Sequence, residues 1–301
     1  MAAGQERILR RRIRSVQSTQ KITRAMELIA ASRIIRAQQA IRAAVPYVEG
    51  MREIMTCLRG EAGDHPVFVG GWGPAAILVV GADRGLCGAF NATLLKIAEE
   101  ALGETRQAGE PVVVGVGRKV QAYFRFHAKP LAQVFTGVSD GPSFDNARDI
   151  GRVLAREITE GRAGRLEIVS TRFLSMGAQR VERRLLIPFQ GEQPPSVFDY
   201  EPGSIGMMEL VLPRWLEAEV HLALLESAAS FHLAQQRAMK AATDNADDLI
   251  TTLTRAMNRA RQDAITTEIM EIVGGAEALR QAGLSGALLG RPDIYVFPEA
   301  S

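Results

Sequence analysis

The sequence predicts a mixed α/β protein in which two long helical arms flank a central domain of alternating strands and helices. Three observations carry this. Residues 214–273 contain neither glycine nor proline, although the 301-residue chain holds 28 Gly and 13 Pro. Residues 5–45 are equally free of both. Between these arms the sequence alternates short β-branched runs with amphipathic ones, the pattern of an α/β domain with a mostly parallel sheet. Helix interiors exclude proline, which removes a donor and clashes, and glycine, which is entropically costly. A helix of about sixty residues would span roughly 90 Å. That is longer than a compact domain of this size needs, so the length itself is expected to serve a purpose.

The first arm runs from residue 5 to about 58. Leu9, Ile13 and Val16 form one 4-3 apolar set, Ile22, Met26 and Ile29 a second, and Ile41, Val45 and Val48 a third. These are coiled-coil-like spacings, interrupted by the polar stretch 17–21. Pro46 and Gly50 suggest a kink or a weak point near its end. In the middle, residues 75–81, 112–115 and 165–175 read as strands, and 91–108, 118–126 and 144–159 as helices. Residues 179–189 suit an edge strand. The last arm begins near Met207 or Arg214. Leu249, Leu253, Ala256 and Ala260 give a 4-3-4 seam that shifts to Ile265, Ile269, Ile272, Ala276 and Leu279. Gly274 and Gly275 are expected to weaken the helix. The implied organisation is 1–60, 61–206, 207–280 and a tail, 281–301.

Charge is distributed unevenly. Residues 1–58 carry eleven Lys/Arg and four Asp/Glu, whereas 214–281 carry seven basic and ten acidic residues. Oppositely charged long helices can lie against each other, and a basic arm suits an acidic partner. The first arm has no aromatic residue before Tyr47, so it lacks the stacking platform of a single-stranded nucleic-acid binder. Only Cys57 and Cys87 occur, without CxxC or metal-ligand spacing, which fits a reducing compartment. The most apolar run, 75–81, is far too short to span a bilayer.

The sequence carries few signs of catalysis. There is no GxxxxGK[ST], GxSxG or HExxH. The four histidines, His65, His127, His221 and His232, show no ligand spacing, and neither a metal nor a cofactor is expected. Gly115-Val116-Gly117 follows a strand and precedes a helix, as in a dinucleotide fingerprint, but Val120 stands where the third glycine belongs. The loop 81–91 (GADRGLCGAFN) is richer. Gly85 and Gly88 allow unusual backbone angles, and Asp83 and Asn91 suit capping. Both a structural turn and an anion-binding nest fit these residues.

Three segments together resemble the gamma subunit of rotary F-type ATP synthases. Residues 13–26 (IRSVQSTQKITRAM) with 30–33 (AASR) are similar to its first shaft helix. Residues 83–91 (DRGLCGAFN) resemble its central-domain signature. Residues 239–246 (MKAATDNA), 258–266 (NRARQDAIT) and 271–279 (EIVGGAEAL) are similar to its second. The resemblance covers about residues 5–280. It implies an α/β fold with a long antiparallel coiled coil of the N- and C-terminal helices and a central Rossmann-like domain. The function it implies is that of a non-catalytic rotor shaft inside a hexamer of alpha and beta subunits. The foot of the shaft would bind the epsilon subunit and the membrane c-ring, and the chain would be held at the cytoplasmic face of a bacterial membrane. No nucleic-acid partner is implied.

The resemblance places Met26, Arg33, Arg36, Arg261, Gln262, Thr266 and Glu268 as coupling contacts with beta. The expected seam residues are Leu9, Ile13, Val16, Leu249, Leu253 and Ala260, and the central-domain turn is Asp83, Gly85, Gly88 and Asn91. Ile34 and Ile35 stand where the family often has a basic pair. In the tail, Gly283, Gly286, Gly290, Pro292 and Pro298 are expected to break the helix. Because residues 294–297 are apolar, the tail is expected to fold back or to pack against the crown interior of the hexamer, the alternative being a disordered end.

Overall fold

The computed structural model describes residues 2–191, 201 and 203–281. The expectation for the tail therefore lies outside the described residues, apart from Gln281. The elements are α1 (Ala2–Glu61), α2 (Pro66–Val69), β1 (Ala75–Val80), α3 (Phe90–Thr105), β2 (Val112–Val116), α4 (Arg118–Phe126), β3 (Gln133–Phe135), α5 (Phe144–Thr159), β4 (Arg165–Ser175), β5 (Ala178–Ile187) and α6 (Ser204–Gln281). The chain divides into two compact units, residues 23–241 and a second made of 1–22 with 242–301.

In the larger unit the strands lie in the order β3-β2-β1-β4-β5. The first four are parallel and β5 returns antiparallel to β4. β1, at the centre, is buried along its whole length (AAILVV), as a strand covered on both faces should be. Ala76, Leu78 and Val80 face one core, shared with α5 and the inner parts of α1 and α6. Ala75, Ile77 and Val79 face the other, beneath α3 and α4. The sheet is thus the middle of three layers. Sequence pattern misses β3, because three residues are too few to show alternation, and the single turn α2.

Within this unit α1 and α6 pack side by side along the sheet. Arg52 of α1 donates to Glu219 of α6 through Nε at 2.5 Å and Nη2 at 2.8 Å. Arg184 of β5 approaches the same carboxylate at 3.2 Å, on the oxygen that Arg52 Nη2 also binds. Glu219 is almost fully buried, and a buried carboxylate is tolerated only when paired in this way. The stretch from Trp215 to Ala234 is buried almost throughout, and its enclosed polar residues include Glu217, Glu219, Glu226, Ser227, Ser230 and His232. α1 runs through Pro46 as one helix, so the proline does not end it.

In the smaller unit the buried positions of α6 are Thr243, Ala246, Leu253 and Ala260, with Ile250, Met257 and Ala264 half-buried between them. Facing them from α1 are Ile13, with Leu9 and Val16 half-buried. Gln20 donates its amide to Asp247. Leu249 is corrected: it is 41% exposed, because the seam steps back from Leu253 by three to Ile250, not by four. Ala256 is exposed for the same reason. In the larger unit Ile22's neighbour Thr23 and Ile29's neighbour Ala30 hold the buried positions, while Ile29 itself is 53% exposed.

The second half of the expected seam is also corrected. Ile265, Ile269, Ile272 and Leu279 are all exposed, at 49–71%. The reason is length. The helices run antiparallel at equal rise, and α1 begins eighteen residues before Gln20. Eighteen residues past Asp247, near Ile265, α6 passes the first described residue of α1 and has no further helix beside it among the described residues. It nevertheless continues through Gly274 and Gly275 to Gln281.

Candidate functional site

The loop that joins β1 to α3 is built around Asp83. One carboxylate oxygen accepts from the Ser139 backbone N–H at 3.1 Å and the Ser139 hydroxyl at 2.9 Å. The other accepts from the Arg118 N–H at 3.1 Å. The Asp83 N–H donates back to Ser139 Oγ at 2.8 Å. Burial alone would push this carboxyl up. The donors of Gly137, Ser139 and Arg118 outweigh it and hold the group below the ordinary aspartate range.

Asn91 closes the loop from the other end. Its Oδ1 accepts from the Ala82 N–H at 3.1 Å, and its Nδ2 reaches Arg84 O at 3.5 Å and Cys87 Sγ at 3.3 Å. Gly88 adopts φ +56° and Leu86 φ +62°, the left-handed turn that the glycine pattern suggested. Gly85 has normal φ and sits over the Lys119 side chain. Cys87 is buried and its thiol is pushed up by that burial, the opposite of what an activated nucleophile needs.

Asp83 also disposes of the dinucleotide reading at Gly115-Val116-Gly117. Arg118 is the first residue of α4, so its N–H belongs to the helix terminus where a pyrophosphate would lie. That donor is occupied by the protein's own carboxylate. Val120 fills the space that the third fingerprint glycine leaves open. Its Cγ2 lies 2.5 Å from where a Cβ on Gly81 would be, and its Cγ1 3.2 Å from one on Gly115. The small residues needed for close helix–strand approach have moved from the helix to the strands. Among the described residues no His, Cys, Asp and Glu cluster is placed to hold a metal, and no helix is long and apolar enough to cross a membrane.

Asp83→Asn removes one acceptor and the charge. We expect it to lower stability by on the order of 1–2 kcal/mol at neutral pH. Because the native carboxyl lies below its unfolded value, its contribution is complete above the ordinary aspartate range. It is lost as pH falls through the native value. Chemical denaturation of both proteins should therefore show a gap that is constant near neutrality and closes in acid. A gap that widens in acid would contradict the assignment.

The residues expected to contact beta fall in both units. In the larger one, Met26 is half-buried and Arg36 exposed. Arg33 reaches Asp140 at 3.4 Å, and Arg84 binds the same oxygen at 3.3 Å, so part of Arg33's charge is used internally. Ile34 is fully buried and Ile35 exposed, so a basic residue at 34 could not be accommodated here. In the smaller unit Arg261, Gln262, Thr266 and Glu268 are all exposed. The Thr266 hydroxyl donates to Gln262 O at 2.9 Å. Arg261 and Glu268 stand about two turns apart on one face. What the spacing did not signal is the apolar exposure around them: Ile265, Ile269, Met270, Ile272 and Val273.

A family model described as ATP synthase matches residues 5–279. The ATP synthase gamma chain of Parafrankia sp. (strain EAN1pec) is 44% identical over 293 residues, covering 92% of this chain and 98% of that one. The ATP synthase gamma chain of Thermobifida fusca (strain YX) is 41% identical over 297 residues, covering 93% and 98%. Among solved structures, a chain of the Euglena gracilis mitochondrial ATP synthase (OSCP/F1/c-ring, rotational state 3) shares the fold with TM-score 0.68. It is 14% identical and covers 98% of this chain and 100% of that one. The chain belongs to the ATP synthase gamma chain family.

Proposed function

We propose that this chain is the rotor shaft of an F-type ATP synthase, the non-catalytic subunit that couples ion flow through the membrane ring to catalysis on the beta subunits. The observation that carries this is the end of α6. From Ile265 to Leu279 it is a continuous helix with six large apolar side chains 49–71% exposed. Such a surface is costly in water and marks a contact. A sleeve formed by the alpha and beta subunits would cover it while presenting no fixed partner residue, as a turning shaft requires. The epsilon subunit and the c-ring would take the other end, and the assembly would hold the chain at the cytoplasmic face of a bacterial membrane.

In this reading Met26, Arg33 and Arg36 on α1 and Arg261, Gln262, Thr266 and Glu268 on α6 meet beta. Because Arg33 is partly neutralised by Asp140, Arg36 is the freer cation. An added cation near them should over-stabilise one rotor angle against an acidic partner. Met26→Lys in the assembled complex is expected to retain most ATP hydrolysis while proton pumping into membrane vesicles falls severalfold. Unchanged pumping per ATP would remove Met26 from the coupling surface.

A further inference from the structure

One carboxylate draws two arginines together. Arg33 reaches out from α1 and Arg84 from the loop after β1, and both meet Oδ2 of Asp140, at 3.4 and 3.3 Å. The other oxygen, Oδ1, is buried and has no hydrogen-bond partner. Asp140 stands in the turn between β3 and α5, and that turn is fixed without its side chain. Asp83 holds Ser139. The Asp140 carbonyl oxygen accepts from His232 Nε2 of α6 at 3.2 Å. Ser143 and Asn146 close the capping box of α5. The backbone thus places the carboxylate, and the two cations come to it.

These contacts differ from the pair that holds α1 to α6. Arg52 binds Glu219 at 2.5 and 2.8 Å, and that carboxylate is 2% exposed. Arg33 and Arg84 instead share a single oxygen at longer range, with side chains 39% and 68% exposed. Exposed pairs of this kind hold weakly, so a second carboxylate can take either guanidinium over. Asp140 itself is only 27% exposed. Losing both cations would leave it a largely desolvated charge without a partner, which is unfavourable and draws the arginines back. Two guanidiniums against one carboxylate also leave a positive charge in excess. Arg36, exposed on the rim of the same hollow, adds another.

We propose that Asp140 is the internal counter-ion of Arg33 and Arg84, a positioning residue that sets how tightly these cations hold an acidic segment of a partner. A carboxylate is what they already bind. In the rotor reading, on which this rests, the partner is a beta subunit. When no acidic segment is near, Asp140 keeps both guanidiniums. As the shaft turns, an arriving segment competes for them, and as it departs Asp140 takes them back. No single rotor angle is then held too firmly.

The test is proton pumping per ATP hydrolysed, measured in membrane vesicles carrying the assembled complex at low and high salt. Asp140→Asn keeps the shape and removes the charge. It is expected to lower the ratio about threefold to tenfold at low salt. Most of that deficit should disappear at high salt, where exposed guanidiniums are screened. Asp140→Glu should recover most of the coupling. In a chain that also carries Arg33→Gln and Arg84→Gln, Asp140→Asn should have no further effect, because it acts only through those groups. Thermal unfolding of the full chain checks that Asp140→Asn folds, and Asp140→Ser takes its place if it does not. Coupling unchanged by loss of the charge would overturn the inference and leave the rotor reading intact. So would a deficit that ignores salt, or one that persists without the two arginines. Failure of the unaltered chain to assemble with alpha and beta would overturn the rotor reading and this inference with it.

Discussion

Gly117→Ala is expected to destabilise the protein by on the order of 3–5 kcal/mol. Gly117 adopts φ +95°, and a Cβ there would lie 2.8 Å from the Ala82 carbonyl carbon, the Ala82 oxygen and the Gly81 oxygen. These are backbone atoms of the loop that holds Asp83, so no side-chain rotation relieves the clash. The Gly117 N–H also donates to Phe135 O at 2.8 Å, and the Lys119 N–H to Ala82 O at 3.0 Å. Displacing the turn would pull on β3 and the Asp83 loop together. Gly103→Ala is the control. It lies within α3 with nothing within 4 Å of its added Cβ, so it should stabilise by roughly 0.5–1 kcal/mol through helix propensity. Denaturant unfolding should give opposite signs for the two. A Gly117→Ala protein as stable as the unaltered chain would refute the close approach of the β2–α4 turn to the Asp83 loop.

Leu253→Asp carries the second large effect. Leu253 is 8% exposed, and the other fully buried seam positions on α6 are small or polar: Thr243, Ala246 and Ala260. It is the principal apolar anchor that α6 contributes to the smaller unit. A carboxylate there would be desolvated without a cation, and the expected cost is several kcal/mol. Leu253→Ala should cost about 2–4 kcal/mol through the cavity alone. The loss should be local, so hydrogen exchange should rise at amides 242–264 and 9–20 and stay unchanged in β1. Leu249→Asp, by contrast, should leave exchange almost unaltered, because Leu249 faces solvent. Equal sensitivity at the two leucines would overturn the seam.

That contrast shows how much the sequence discloses. The frames 249-253-256-260 and 250-253-257-260 share two members and differ only in whether a three or a four comes first. Leu249 and Ile250 are both apolar, so hydrophobicity cannot choose between them; the partner helix does. The central strands and helices were legible because β1 is fully apolar and α5 opens with Ser143, whose hydroxyl accepts from the Asn146 N–H. β3 was not, because its three residues gain their order from β2. Asp83 was legible as a turn residue, but its role in occupying the α4 terminus depends on Ser139 and Arg118, far away in sequence. The exposed apolar stretch from Ile265 was read as seam because periodicity reports that a face is apolar, not what covers it.

A shaft that turns while beta performs the chemistry must be seen to rotate. The most direct measurement fixes the alpha–beta hexamer to a surface and attaches a visible probe to the β4–β5 turn, at Gly177, through an introduced cysteine in a variant lacking Cys57. With ATP supplied, stepwise rotation in one direction is expected, with steps tied to hydrolysis and abolished when the beta sites are inactivated. Sustained hydrolysis by the assembled complex with the probe stationary would contradict it.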